Sequence, residues 1–283
     1  MASFCHIAPI PHLDITKGYK THLALAHLVE QSDEYSSFYL QEKLSGSTVI
    51  LDNSAFEMYK QKKPMYDTSK LVLMADRIKA DYVVMSDYPN DYSSTTINAA
   101  KEIAPTLKQL GFGTFFCPQS KIGDKGDLFN CFEWAADSDL VDYIGVSILA
   151  IPNAYGVEKK NKLQRFVSRY MFMQELRDSG ILDHAKSKGK KIHMLGMLDG
   201  PGEIRLMEPF KGYIDTWDSS AAVWLGLHAG KTFDSSPTGL IDGKYEEEVD
   251  FNYENDRGKL NAIINMSIIN NYMQMYLTGS DDA

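Results

Sequence analysis

Five apolar runs of strand length along this chain each stop at a polar or small residue. This recurrence constrains the fold more than any other feature. Thr48-Val49-Ile50-Leu51 leads into Asp52-Asn53-Ser54-Ala55-Phe56-Glu57. Val83-Val84-Met85 leads into Ser86-Asp87-Tyr88-Pro89, and Phe115-Phe116 into Cys117-Pro118-Gln119-Ser120. Tyr143-Ile144-Gly145-Val146-Ser147 and Tyr213-Ile214-Asp215-Thr216-Trp217-Asp218-Ser219 complete the series. A buried strand that ends at a carboxylate and turns through small residues builds a site rather than a core. Several strands handing polar groups to one point from the same end is how a parallel α/β barrel makes an active site.

The remaining sequence alternates in the same way. Candidate strands cover Phe4–Ile10, Thr48–Leu51, Tyr82–Ser86, Gly113–Cys117, Tyr143–Ser147, Lys191–Gly196 and Tyr213–Trp217. Helical apolar spacing covers His22–Val29, Ser69–Ala80, Thr95–Leu110, Leu128–Ala136, Leu163–Ser179 and Gly202–Pro209. Strands separated by helix-length crossovers imply a parallel sheet with right-handed connections. With an eighth strand expected between Gly230 and Val249, the pattern predicts a single-domain (β/α)8 TIM barrel over residues 1–283. An open, doubly wound sheet is the alternative. Residues 257–277 place apolar side chains at helical spacing and are expected to form a C-terminal helix across the outside of the barrel. Thr232 to Asn255, rich in Ser, Gly, Asp and Tyr, is expected to be a long loop region.

A length of 283 residues suits one large domain, and 44% hydrophobic content is ordinary for a soluble globular protein. No run of apolar residues is long enough to span a bilayer, and the start Met1-Ala2-Ser3-Phe4-Cys5-His6 lacks the features of a signal peptide. Cys5, Cys117 and Cys131 are scattered without Cys-x-x-Cys spacing. They predict a reducing, cytoplasmic setting and no structural zinc, and neither metal nor cofactor is expected. A net charge of −9 argues against a phosphate-rich partner, but its distribution argues the other way. Lys159, Lys160, Lys162, Arg165 and Arg169 follow the strand that ends near Ser147. Lys60, Lys62 and Lys63 follow the Asp52 motif, and Lys121 and Lys125 follow Gln119. Three basic clusters at the expected site face point to nucleic acid; a merely solvated surface is the plain alternative for each.

Asp52 and Asp218 are the candidate catalytic pair. Two carboxylates facing one sugar can divide a glycosidic exchange into two displacements, one attacking carbon while the other moves the leaving group's proton. The plain alternatives are a helix N-cap for Asp218 and a turn cap for Asp52. Asp215, earlier on the same strand and read as sharing its face, is a substitute nucleophile. Asp87 can accept from a donor-rich edge such as the N1–H and amine of guanine, and Gln119 offers a donor and an acceptor. Gly145 admits close approach to the backbone, and Phe56 can stack on a flat ring, worth about 1–3 kcal/mol. His193 is read as a packed strand histidine rather than a base.

In their order, these motifs resemble the tRNA-guanine transglycosylase superfamily, whose first barrel motif runs Asp-Ser-Gly-Gly-Phe-Gln. Asp52 to Glu57 matches it position by position, keeping Asp and Phe and replacing Gln with Glu57. Asp87, Gln119 and Gly145 fall on the next three motifs, the third being a Gly-Gly pair reduced here to Gly145-Val146. His193-Met194-Leu195-Gly196-Met197 resembles the Leu-Met-Gly-Val-Gly strand, and Ile214 to Asp218 resembles the nucleophile strand. The likeness spans roughly residues 48 to 225. It implies that Asp218 is the nucleophile and Asp52 the general acid/base. It also implies that Ser54, Phe56, Asp87, Gln119, Gly145 and Val146 hold the purine. The zinc subdomain of the tRNA enzymes has no counterpart, so the chain looks more like the phage and bacterial DNA-guanine transglycosylases. Those exchange guanine in DNA for a 7-deazaguanine such as 7-cyano-7-deazaguanine and so protect DNA from restriction. The implied partners are DNA, single-stranded or with the base flipped, and a free 7-deazaguanine base, with a partner protein or a homodimer left open. The same exchange on tRNA, and a catalytically silent nucleic-acid-binding barrel, are the competing readings.

Overall fold

A computed structural model describes residues 2–158, 161–197, 200–233 and 250–278. Its eight strands are β1 (Ser3–His6), β2 (Thr21–Leu25), β3 (Thr48–Asp52), β4 (Tyr82–Val84), β5 (Gly113–Phe116), β6 (Tyr143–Ser147), β7 (Lys191–Leu195) and β8 (Ile214–Ser219). All pair in parallel in the order β1-β8-β7-β6-β5-β4-β3-β2, so the sheet curls until its first strand lies against its last. Where β1 meets β2 there is no backbone ladder among the described residues; Ser3 Oγ and Thr21 Oγ1 meet there at 2.9 Å. The result is a nearly closed (β/α)8 TIM barrel.

Twelve α-helices occur among the described residues. The first six are α1 (Ala26–Gln31), α2 (Asp33–Leu44), α3 (Ala55–Lys60), α4 (Thr68–Ile78), α5 (Ser93–Gln109) and α6 (Lys125–Asp137). The others are α7 (Ala150–Ala154), α8 (Lys162–Asp178), α9 (Ile181–Ser187), α10 (Pro201–Leu206), α11 (Ala221–Leu227) and α12 (Asp256–Tyr272). Their sequences explain them. In α4, Asp67 caps the first turn by accepting from Lys70 N, and Leu71, Met74, Ala75 and Ile78 recur at helical spacing to form its buried stripe. In α6, Asp124 caps and Leu128, Cys131, Phe132 and Ala135 do the same.

One stretch corrects the sequence reading. His22–Val29 was expected as helix, but Thr21–Leu25 is strand β2, entirely buried, and the helix starts only at Ala26. β2 is therefore the eighth strand. The stretch expected to supply it, Gly230 to Val249, lies largely outside the described residues. The expected C-terminal helix is present as α12, continued by a π-helical turn over Met273–Leu277.

α11 and α12 cross with their backbones almost touching. A Cβ on Gly226 would sit 2.1 Å from Ala262 N, and one on Gly258 would sit 2.5 Å from the Gly226 carbonyl oxygen. Backbone cannot yield as a side chain can. Gly258→Ala should therefore lower stability by about 3 kcal/mol, the upper end for overpacking, as read from a urea melt. A loss below about 0.5 kcal/mol would mean that the helices separate freely.

A repeated bracket ties the strand starts together. Asp81 accepts from Val49 N and pairs with Lys43; Asp142 accepts from Thr114 N and pairs with Lys108. Asp215 accepts from Ile192 N at 2.6 Å and pairs with Lys186 at 2.7 Å. Each aspartate opens an even-numbered strand, and each lysine comes from the helix that precedes the odd-numbered strand before it. Asp215 is thus a structural carboxylate at the opposite rim from Asp218. Side chains alternate along a strand, and three positions separate the two, so they cannot share a face.

Candidate active site

Asp52 and Asp218 close strands β3 and β8 at the same, C-terminal rim of the barrel. Ser54, in the left-handed region at φ 55°, turns the chain sharply from β3 into α3. Asp52 Oδ2 accepts from Ser54 N at 2.8 Å and Asn53 Oδ1 from Ala55 N, so the capping bonds expected of Asp-Asn-Ser are made. Asp218 makes no such cap. Ser219 Oγ accepts from Ala221 N at the start of α11, while Asp218 Oδ1 accepts from His193 Nε2 at 2.9 Å and Gly196 N at 3.1 Å.

Repulsion between carboxylates shows that the site is shared. Burial holds the Asp52 carboxyl well above the usual carboxylate range, and the neighbouring charges of Glu57, Asp218 and Asp87 push it further. Burial also raises Glu57, with Asp218 adding to it. Four carboxyls therefore converge on one rim, and Asp52 is pushed toward the protonated form that acid catalysis would need. Cys5 and Cys117 lie close by; burial raises both thiols, and Asp218 raises the first while Asp87 and Asp52 raise the second.

Asp87 lies at the centre of an amide clamp. Asn53 Nδ2 donates to its Oδ1 at 2.7 Å and to the Met85 carbonyl, while Gln119 Nε2 donates to its Oδ2 at 2.5 Å. Burial nevertheless raises the Asp87 carboxyl to about 6, against the pull of the two amides. An acid whose folded pKa is raised favours folding most when protonated. This contribution is full below about pH 4 and is lost as pH rises to about 6. Asp87→Asn should therefore flatten the stability curve between those pH values relative to the native chain. Parallel curves from urea melts at pH 4, 5, 6 and 7 would place the titrating group elsewhere.

The other expected purine contacts are placed less simply. Ser54 Oγ is already engaged, by His27 N at 3.2 Å and His27 Nδ1 at 2.8 Å, and the His27 imidazole is pushed down to about 4 by burial. Phe56 is half-buried on the first turn of α3, with Lys60 Nζ 5.7 Å from its ring centre. Gly145 is a packing glycine: an added Cβ would lie 2.6 Å from Leu195 Cδ1 and 2.8 Å from Phe115 Cε2. It makes room inside the barrel rather than for a ligand, and Val146 beside it is fully buried.

The basic cluster after β6 needs correcting. Lys159 and Lys160 lie outside the described residues, and the side chain of Lys162 is not among those described. Arg165 and Arg169 are buried, the latter completely. Arg169 Nη2 pairs with Glu203 at 2.5 Å, and Nη1 donates to the carbonyls of Leu195 and Gly196 at 3.1 and 2.9 Å. Its guanidinium lies 4.9 Å from the centre of the Trp217 ring. Arg169 thus braces the ends of β7 and β8, Arg165 Nη2 reaches the Ile148 carbonyl just after β6 at 3.4 Å, and neither buried arginine is free to hold a phosphate. The loop lysines Lys62 and Lys63 are exposed, whereas Lys121 packs over Tyr92 and Lys125 pairs with Glu175.

Sequence reasoning missed Asn53 as a bridge, Glu57 as a fourth carboxyl and His193 as the partner of Asp218. Only Glu57 left a trace, as the residue replacing Gln in the first motif. Among the described residues no group of three or more His, Cys, Asp or Glu is placed to hold a metal ion, and no helix is long and apolar enough to cross a membrane. A depression of about 400 Å³ lined by Asp81, Tyr82, Asp142 and Lys191 lies at the opposite rim, away from these carboxyls.

No protein-family model and no curated protein matches the chain. Among solved structures it is similar to active domain 2 of a chitinase from Pyrococcus furiosus. That match has a TM-score of 0.50 at 11% identity and covers 96% of this chain and 95% of that one. A HpcH/HpaI aldolase/citrate lyase family protein from Burkholderia cenocepacia matches with a TM-score of 0.49 at 12% identity, over 79% of this chain and 89% of that one. At such identities the first of these likenesses is one of fold, and the fold is the barrel.

Proposed function

We propose that this chain is a pentosyltransferase, a DNA-guanine transglycosylase that exchanges guanine in DNA for a 7-deazaguanine. The observation that supports this best is the delivery of Asp52 and Asp218 to one rim, near enough that the Asp218 charge adds to the burial driving Asp52 toward its protonated form. A carboxyl held toward its protonated form beside a second carboxyl suits an acid partnered with a nucleophile.

In this reading the target guanine is extruded from the duplex, at a cost of a few kcal/mol, or is met in single-stranded DNA. Asp218 attacks C1′ as the bond to N9 breaks, forming a glycosyl ester, and Asp52 gives its proton to the departing purine. The deazaguanine then enters, its N9–H proton passes to the Asp52 carboxylate, and N9 attacks C1′ to release Asp218. Two inversions retain the β configuration. Asp87, steadied by Asn53 and Gln119, keeps lone pairs for the N1–H and amine of the base, and Phe56 lies against its face. Lys62 and Lys63 take the flanking phosphates.

The test is mass analysis of nucleosides from DNA incubated with the protein and candidate deazaguanines, with tRNA run in parallel. Deazaguanine in DNA supports the reading; incorporation into tRNA alone selects the tRNA reaction. No incorporation into either, with DNA still bound, selects the silent barrel.

A further inference from the structure

We infer that His193 positions the attacking oxygen of Asp218, and that it does so as the last link of a one-way hydrogen-bond relay from Thr216. The inference rests on the transglycosylase reading for the word attacking; the relay itself stands on geometry.

His193 sits in β7, inside the barrel, with no exposed surface. Its Nε2 is 2.9 Å from Asp218 Oδ1 and its Nδ1 is 2.6 Å from Thr216 Oγ1. The Phe115 ring fixes the imidazole plane edge-on at 5.3 Å and stacks on Tyr143 at 5.4 Å.

Proton counting sets the direction. A carboxylate only accepts, so Nε2 carries the hydrogen. In a neutral ring Nδ1 is then bare and accepts the Thr216 O–H. Gly196 N reaches the same Oδ1 at 3.1 Å. Among the described residues both bonds thus fall on Oδ1 and none on Oδ2, so the carboxylate cannot rotate without breaking two bonds. Oδ2 is the oxygen left to attack. A merely structural histidine needs none of this: Leu in the same space beside Phe115 would avoid burying an imidazole. His193 touches no substrate in this scheme and is a positioning residue.

The test uses His193→Leu, which keeps the core apolar, and His193→Gln, which returns a donor near the Nε2 position. His193→Leu should slow formation of the trapped enzyme–DNA adduct about 100-fold, the effect of misplacing a reacting group by about an ångström. KM for DNA should stay unchanged. His193→Gln should recover at least a tenth of the native rate. Nitrogen-15 spectra of the native protein should show the His193 hydrogen on Nε2, with Asp218→Asn shifting Nε2 far more than Nδ1. A native adduct rate in His193→Leu, or a Nδ1–H tautomer, overturns the inference. Should the native protein form no adduct at all, the transglycosylase reading fails. The spectra then decide the relay by themselves, and an Nε2 indifferent to Asp218→Asn overturns it.

Discussion

Asp218→Asn is expected to abolish the trapped covalent species with DNA and to lower base exchange by at least about 10³-fold, as loss of a nucleophile does. Asn has the shape of Asp, and its Oδ1 can still accept from His193 and Gly196, so the barrel should fold and bind DNA as before. The amide lacks the charge that attacks C1′. Retained adduct in this variant would remove Asp218 from the nucleophile's role, and Glu57, the next carboxyl in the cluster, would become the candidate. Loss of DNA affinity together with exchange would instead show a shape defect.

Glu203→Ala should lower stability by about 3–5 kcal/mol, because it leaves the Arg169 guanidinium buried without its counter-ion. Arg169 lies on Trp217 and holds the Leu195 and Gly196 carbonyls, so the loop whose amide reaches Asp218 should loosen as well. A combined Arg169→Met and Glu203→Leu change removes both charges and should recover part of the loss, though two carbonyls stay without their donor. Urea melts of the three variants separate these terms. Equal stability of the native chain and Glu203→Ala would mean that water reaches the pair.

The rim carboxyls were legible in the sequence because a buried strand can end at only a few places, and Asp52, Asp87 and Asp218 each stand at such an end. Strand β2 was not, for a local reason. Thr21-His22-Leu23-Ala24-Leu25 runs straight into Ala26 and α1 with no Gly, Pro or Asn between them, so the apolar spacing of the helix masks the strand. Arg165 and Arg169 misled because charge counted along a chain does not say which face of α8 a residue takes. Their partners, Glu203 and the Leu195, Gly196 and Ile148 carbonyls, lie on other elements. His193 was read correctly as packed, but its bond to Asp218 joins residues on neighbouring strands and depends on register that only the assembled sheet provides.

The return of β1 to β8 has a consequence for how the molecule comes into being. Among the described residues, Ser3 to His6 find their strand partners in Thr216 to Ser219. During synthesis β1, the first made of these eight strands, must therefore wait until more than two hundred residues have followed it before β8 can pair with it. Sequence separation of this size slows folding. The strand that carries Asp218 is the one it waits for, so maturation of the carboxyl-bearing rim and final locking of β1 become a single late event.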